Sequence, residues 1–99
     1  MTQVQIFIDK DDLIGSKYVS DFIMKFLLEN DISGATMFKG WMGFGKNHVL
    51  KKPNDIFSFD ETPLLITFID NDEKVDSVLL GLRKEYEGGL IVKNIVQVV

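Results

Sequence analysis

A chain of 99 residues has room for one domain with a single modest core, which leaves little space for a separate catalytic lobe. Hydrophobic residues make up 45% and charged residues 26%, a globular balance in which no run approaches the ~20 apolar residues of a bilayer span. The absence of cysteine excludes thiol catalysis, disulfides and thiolate metal sites, and a net charge of −4 disfavours a general nucleic-acid binder. The opening residues MTQVQIFID lack the basic start and apolar block of an export signal, so a cytoplasmic location is expected.

The first element reads as a strand, with Val4, Ile6 and Ile8 alternating against Gln3, Gln5 and Phe7, and the polar DKDDLIGS after it reads as a turn. The spacing then becomes helical. Val19, Phe22, Ile23, Phe26 and Leu27 fall on one stripe able to cover a sheet, and the helix is expected to end near Asn30. SGATMFKGW resumes an extended pattern, with Ala35, Met37, Lys39 and Trp41 on one face and Thr36, Phe38 and Gly40 on the other. Residues 42–62 are rich in Gly, Lys, Asn, Asp and Pro and read as a long flexible loop with DIFSF as its returning arm, or as a plain disordered connection.

PLLITFID reads as the third main strand. Asp70 is placed to cap the next helix, with Glu73 three positions on reaching back to the cap's own N–H. Val75, Val78, Leu79, Leu82 and Tyr86 form that helix's apolar stripe, while Arg83, Lys84, Glu85 and Glu87 read as its wet side. Gly88 and Gly89 offer a left-handed residue to end it, and LIVKNIVQVV closes the chain as a fourth, β-branched strand.

The order βαββαβ makes residues 1–99 a single α+β ferredoxin-like domain, an antiparallel sheet with two helices on one face. Both faces of the later strands are apolar: Leu64, Ile66 and Phe68 oppose Leu65, Thr67 and Ile69, and Leu90 and Val92 oppose Ile91 and Ile95. A half-exposed sheet alternates apolar with polar, so the second face is expected to meet another subunit in a homo-oligomer.

Residues 39–52 contain Lys39, Lys46, Lys51 and Lys52 and no acid; this +4 segment leaves the rest of the chain at −8. Within it, KGWMGFGKNH sets Gly40, Gly45 and Lys46 where a GxxxxGK[ST] phosphate loop has them. However, Asn47 stands where Ser or Thr is required and no helical period follows before Pro53, so a Walker-type hydrolase is not supported. Lys39, Gly40 and Trp41 also open like an RNP1 strand, but Met42 and Gly43 occupy positions wanting a small residue and an aromatic, and the chain is acidic. No nucleic-acid partner is expected. What remains is a glycine-rich turn at the mouth of a long loop, with lysines near it.

ISGATMFKGWMGFG followed by DIFSFDETPLLITFIDNDEKV resembles the small bacterial and archaeal PII-like proteins catalogued as a domain of unknown function, and more distantly the PII nitrogen-signalling proteins. The likeness runs from VQIFIDKDD to the last strand. It implies a homotrimer with sheets packed around the centre, a small anionic ligand or nucleotide in clefts between subunits, and a loop that reports occupancy to a partner protein such as a membrane transporter. Gly40, Gly43, Phe44 and Gly45 would form the loop base with Lys46 as an anion contact. Gly88 and Gly89 would occupy the phosphate-holding turn, and Asn47, His48, Lys51 and Lys52 would lie on the partner-facing loop. EGGLIVK lacks the compact Gly–Lys pattern and following arginines that grip ATP in PII proteins, which argues against ATP itself.

Other conspicuous residues carry plainer readings. His48 stands alone and reads as an exposed histidine, so neither a metal nor a cofactor is expected. Trp41 and Phe44 suit either base stacking or packing beside a sheet edge. Asp9, Asp11 and Asp12 lack the Gly and terminal Glu of a calcium loop and read as a solvated turn. No paired acid and base or activated nucleophile is evident, so the expectation is a non-enzymatic sensor. The alternative is a structural oligomer or protein-interaction module without a small ligand.

Overall fold

The computed structural model describes residues 1–44 and 62–99. In chain order these form β1 (Thr2–Asp9), β2 (Leu13–Ile14), β3 (Lys17–Tyr18), α1 (Val19–Glu29), β4 (Ala35–Lys39), β5 (Pro63–Asp70), α2 (Asp72–Glu85) and β6 (Leu90–Ile95). The four longer strands make one antiparallel sheet in the order β4-β5-β1-β6, the ferredoxin-like arrangement that the alternating periods predict. Among the described residues no helix is long and apolar enough to cross a membrane.

The core lies between the helices and one face of the sheet. Val4, Ile6 and Ile8 of β1 and Leu64, Ile66 and Phe68 of β5 meet Val19, Ile23 and Leu27 of α1 and Val75, Val78 and Leu82 of α2. Each fully buried aliphatic chain among them contributes about 1.5–3 kcal/mol, so the two helical stripes are what hold α1 and α2 on this face. Phe22, Phe26, Leu79 and Tyr86, the other stripe members, are half-buried at its margin.

The register defines the opposite face. Phe38 of β4, Leu65 of β5, Phe7 of β1 and Leu90 of β6 are successive cross-strand partners and form one uninterrupted apolar row. The next row, Thr36, Thr67, Gln5 and Val92, is mostly polar, and beyond it Ile69 stands against Gln3 and Asn94. The uncovered face is thus greasiest near the mouth of the 39–62 segment and wetter at its far end. Phe7, Phe38 and Leu90 are 41%, 55% and 59% exposed, so the lone protomer leaves this row unsatisfied.

Several local expectations are corrected. The DKDDLIGS turn contains a small hairpin, β2 paired with β3 around Gly15 at φ 62, because a two-residue hairpin turn calls for a positive-φ position. The cap of α2 is Asn71, whose side chain accepts from the Lys74 amide at 2.9 Å, one residue after the expected Asp70. Asp70 is instead the buried end of β5. It accepts from the Ser33 amide (2.9 Å), the Ser33 hydroxyl (3.0 Å) and the Asn71 amide (2.8 Å), with Lys74 Nζ 3.5 Å away. The Ser33 amide leads in holding its carboxyl down at about 2; the Asn71 amide, the Ser33 hydroxyl and Lys74 add to this, and burial opposes it. Helix α2 ends on an extended Tyr86 (φ −141), and the left-handed residue, Gly89 at φ 66, belongs to the turn into β6. Strand β6 stops at Ile95, after which the Val96 amide bonds the Met1 carbonyl at 3.0 Å.

Candidate functional site

The sequence-predicted glycines gather at the end of the sheet from which β4 leaves and β5 and β6 enter. At one corner, the Gly40 amide donates to the Pro63 carbonyl at 2.7 Å, extending the β4–β5 ladder past Lys39. A Cβ on Gly40 would come within 2.7 Å of Pro63 Cγ and 3.2 Å of its carbonyl oxygen, and one on Gly43 within 3.3 Å of the same ring. Both glycines are therefore needed so that the backbone can close on Pro63. Beside them Thr62 is buried, and its carbonyl accepts from the Lys10 amide at 2.8 Å. The two ends of the 39–62 segment are thereby fixed next to each other. The residues between the glycines point outward, with Trp41 67% exposed, and Phe44 beyond them is 68% exposed; neither packs into the protomer's core.

The second corner is organised by residues read from sequence as helix stripe and wet face. Tyr86 folds back over the Gly88–Gly89 turn: a Cβ on Gly88 would lie 2.7 Å from the Tyr86 hydroxyl and 2.9 Å from its ring carbons. Gly89 approaches Ile8 and the Phe7 carbonyl, where a Cβ would stand at 3.0 and 3.1 Å. Arg83 Nη1 donates to the Gly88 carbonyl at 2.6 Å and the Tyr86 carbonyl at 3.3 Å, so the guanidinium braces the turn. Burial pushes the Tyr86 phenol above its ordinary range; the carboxylates of Asp12 and Asp9 push the same way, and Arg83 opposes them. No sequence signal marks this role for Tyr86 or Arg83, because both also satisfy the helical pattern.

These two corners sit on opposite edges of the sheet. Strands β5 and β1 separate them, three inter-strand steps or about 14 Å. Gly40 and Gly43 are thus brought together, as are Gly88 and Gly89, but one protomer does not unite the pairs. Gly45 and Lys46, and the loop residues Asn47, His48, Lys51 and Lys52, lie outside the described residues. Among the described residues no three His, Asp or Glu side chains are placed to hold a metal ion; Asp9 and Asp12 instead close a turn through the Asp9 amide and the Asp12 carboxylate at 3.0 Å. Shallow apolar grooves lie elsewhere, one beside Leu28 and Ile32 and one between Leu79 and Ile91, and neither includes a predicted glycine.

Comparison with known proteins settles the kinship. The model of the family DUF190, described as "Uncharacterized ACR, COG1993", matches residues 1–98. The chain belongs to this family. Its DUF190 membership agrees with two curated relatives named only as UPF0166 proteins. That of Methanocaldococcus jannaschii (MJ1524) is 33% identical over 92 residues, covering 92% of this chain and 78% of the relative. That of Aquifex aeolicus is 25% identical over 92 residues, covering 93% and 88%. Among solved structures, CPII of Thiomonas intermedia K12, a nitrogen regulatory PII-like protein bound to ADP, AMP and bicarbonate, superposes with a TM-score of 0.71. The match has 19% identity and covers 98% of this chain and 86% of CPII. A signalling protein of Thermus thermophilus, also described as PII-like, gives a TM-score of 0.63 at 13% identity, over 94% and 81% of the two chains. The DUF190 chain therefore has the PII-like variant of the ferredoxin-like fold.

Proposed function

We propose that this chain is a non-enzymatic, cytoplasmic PII-like regulator: a homotrimer that binds a small anionic ligand, a nucleotide foremost, between subunits and controls a partner protein through the segment at 42–62. A membrane transporter is one candidate for that partner. The observation that carries the reading is the placement of Gly40 and Gly43 on one edge of the sheet and Gly88 and Gly89 on the other, at the same end. A ligand contacting both pairs must lie between two copies of the chain. The apolar row Phe38, Leu65, Phe7 and Leu90 beside these corners supports association of copies, since burying it removes large side chains from water. The shared fold with CPII, solved with ADP and AMP, supports a nucleotide as the first ligand to try.

A second reading, an oligomer or interaction module with no small ligand, is favoured by one observation. Tyr86 already lies across the Gly88–Gly89 turn and Arg83 is committed to its carbonyls, so that corner offers an anion no free guanidinium. Calorimetry against AMP, ADP, ATP, phosphate and bicarbonate, paired with sedimentation velocity at micromolar protein, separates the two. The proposed function expects trimers and a saturable heat with at least one nucleotide. Trimers with a flat response throughout would favour the second reading, and monomers alone would remove the composite site altogether.

A further inference from the structure

Trp41 is the chain's one tryptophan, and its setting is unusual for so large an apolar group. Gly40 is bonded to the Pro63 carbonyl at 2.7 Å and Gly43 is seated against the Pro63 ring, so the backbone is tied down on both sides of the residue. The indole is nevertheless 67% exposed, and among the described residues it has no ring partner and no acceptor for its N–H. Two positions before it, Lys39 is exposed and has no carboxylate partner among the described residues. An aromatic plane on a pinned backbone loses little freedom when something stacks on it, and a neighbouring ammonium suits a ligand that carries negative charge as well as a ring.

We infer that Trp41 is the stacking platform for the base of a nucleotide, with Lys39 beside it for the phosphate. This inference rests on the proposed function and adds the residue that reads the ring. An inorganic anion or an organic acid would use Lys39 and ignore the indole, whereas a nucleotide uses both.

Because no other tryptophan competes, intrinsic fluorescence reports on this side chain alone. Titration of the full chain with AMP and ADP is expected to change Trp41 emission saturably, with the same midpoint as calorimetry, while ribose 5-phosphate and pyrophosphate leave it unchanged. Trp41→Phe keeps a ring and holds affinity within a few-fold; Trp41→Ala weakens AMP binding by about tenfold or more, the usual cost of a lost base stack. If AMP or ADP binds by calorimetry while emission stays constant and Trp41→Ala binds as tightly, the stacking role is overturned and the regulator reading stands. If no nucleotide gives heat, both fall. If emission instead shifts on dilution of the ligand-free protein, Trp41 lies in a contact between copies, and the stacking role is again overturned.

Discussion

The two glycine pairs show how one residue type serves opposite ends at two corners of a single sheet. Gly40 and Gly43 yield their missing side chains to Pro63, a ring fixed in the main chain, and so seal the base of a long segment. Gly88 and Gly89 yield theirs to Tyr86, a side chain that can rotate away, and to the close passage of β1. The first corner is permanently closed and directs Trp41 outward. The second is filled by a group that can leave, so a ligand-dependent rearrangement costs less there. Composition alone, two glycines near an aromatic in each case, does not distinguish them.

The largest effect should come from forcing the sealed corner open. Gly40→Ala places a methyl 2.7 Å from Pro63 Cγ and 3.2 Å from its carbonyl oxygen, where neither can move without disturbing β5. A loss of about 2–3 kcal/mol in denaturant-induced unfolding is expected. A control at the far end of the sheet is nearly as costly. Asp70→Asn removes a carboxylate that accepts two backbone amides and a hydroxyl, and a loss of about 2 kcal/mol at neutral pH is expected.

The pH dependence of that control has a definite sign. Asp70 titrates near 2 when folded against an ordinary 3.8, so its contribution is fully present above pH 3.8 and is lost as pH falls toward 2. Thermal unfolding between pH 5 and pH 2 should show this slope in the native chain, and a much shallower one in Asp70→Asn.

At the second corner the effects shrink. Gly89→Ala must hold an alanine at φ 66 against Ile8 and the Phe7 carbonyl, and a loss of about 1–2 kcal/mol is expected by the same unfolding assay. Gly88→Ala should cost least, under about 1 kcal/mol, because the Tyr86 ring can swing aside. Its signature lies elsewhere: ultraviolet titration should find the Tyr86 phenol returning toward its ordinary range once it leaves its half-buried seat. If Gly88→Ala proved as damaging as Gly40→Ala, the contrast between a fixed and a movable filler would fail.

Much of the fold is legible in the sequence because its periods are clean. The stripes Val19, Ile23, Leu27 and Val75, Val78, Leu82 are what the core uses, and β1 and β5 alternate as their residues require. The misplaced cap has a physical cause: Asp70 and Asn71 are both good capping residues, and only the approach of Ser33, 37 positions away in sequence, draws Asp70 inward and leaves Asn71 to the helix. The β2–β3 hairpin leaves no pattern to read, because two-residue strands are too short to show alternation. For the site, the glycines stand out as motifs, but their fillers do not. Pro63 looks like the start of a strand, Tyr86 like the last member of a helical stripe and Arg83 like a solvated charge. Their roles arise only when the sheet brings distant segments to one end.

The paired bonds Gly40 to Pro63 and Lys10 to Thr62 have a consequence for how members of such a lineage can diverge. With the departure and return points clamped side by side, the entropic penalty of closure grows only logarithmically, about 0.6 kcal/mol for each doubling of the span. Insertions, deletions or wholesale replacement between those anchors would leave the scaffold's folding nearly untouched. The anchors thus act as a socket, into which recognition elements of different length can be exchanged while the β-structure and its helical cover stay as they are.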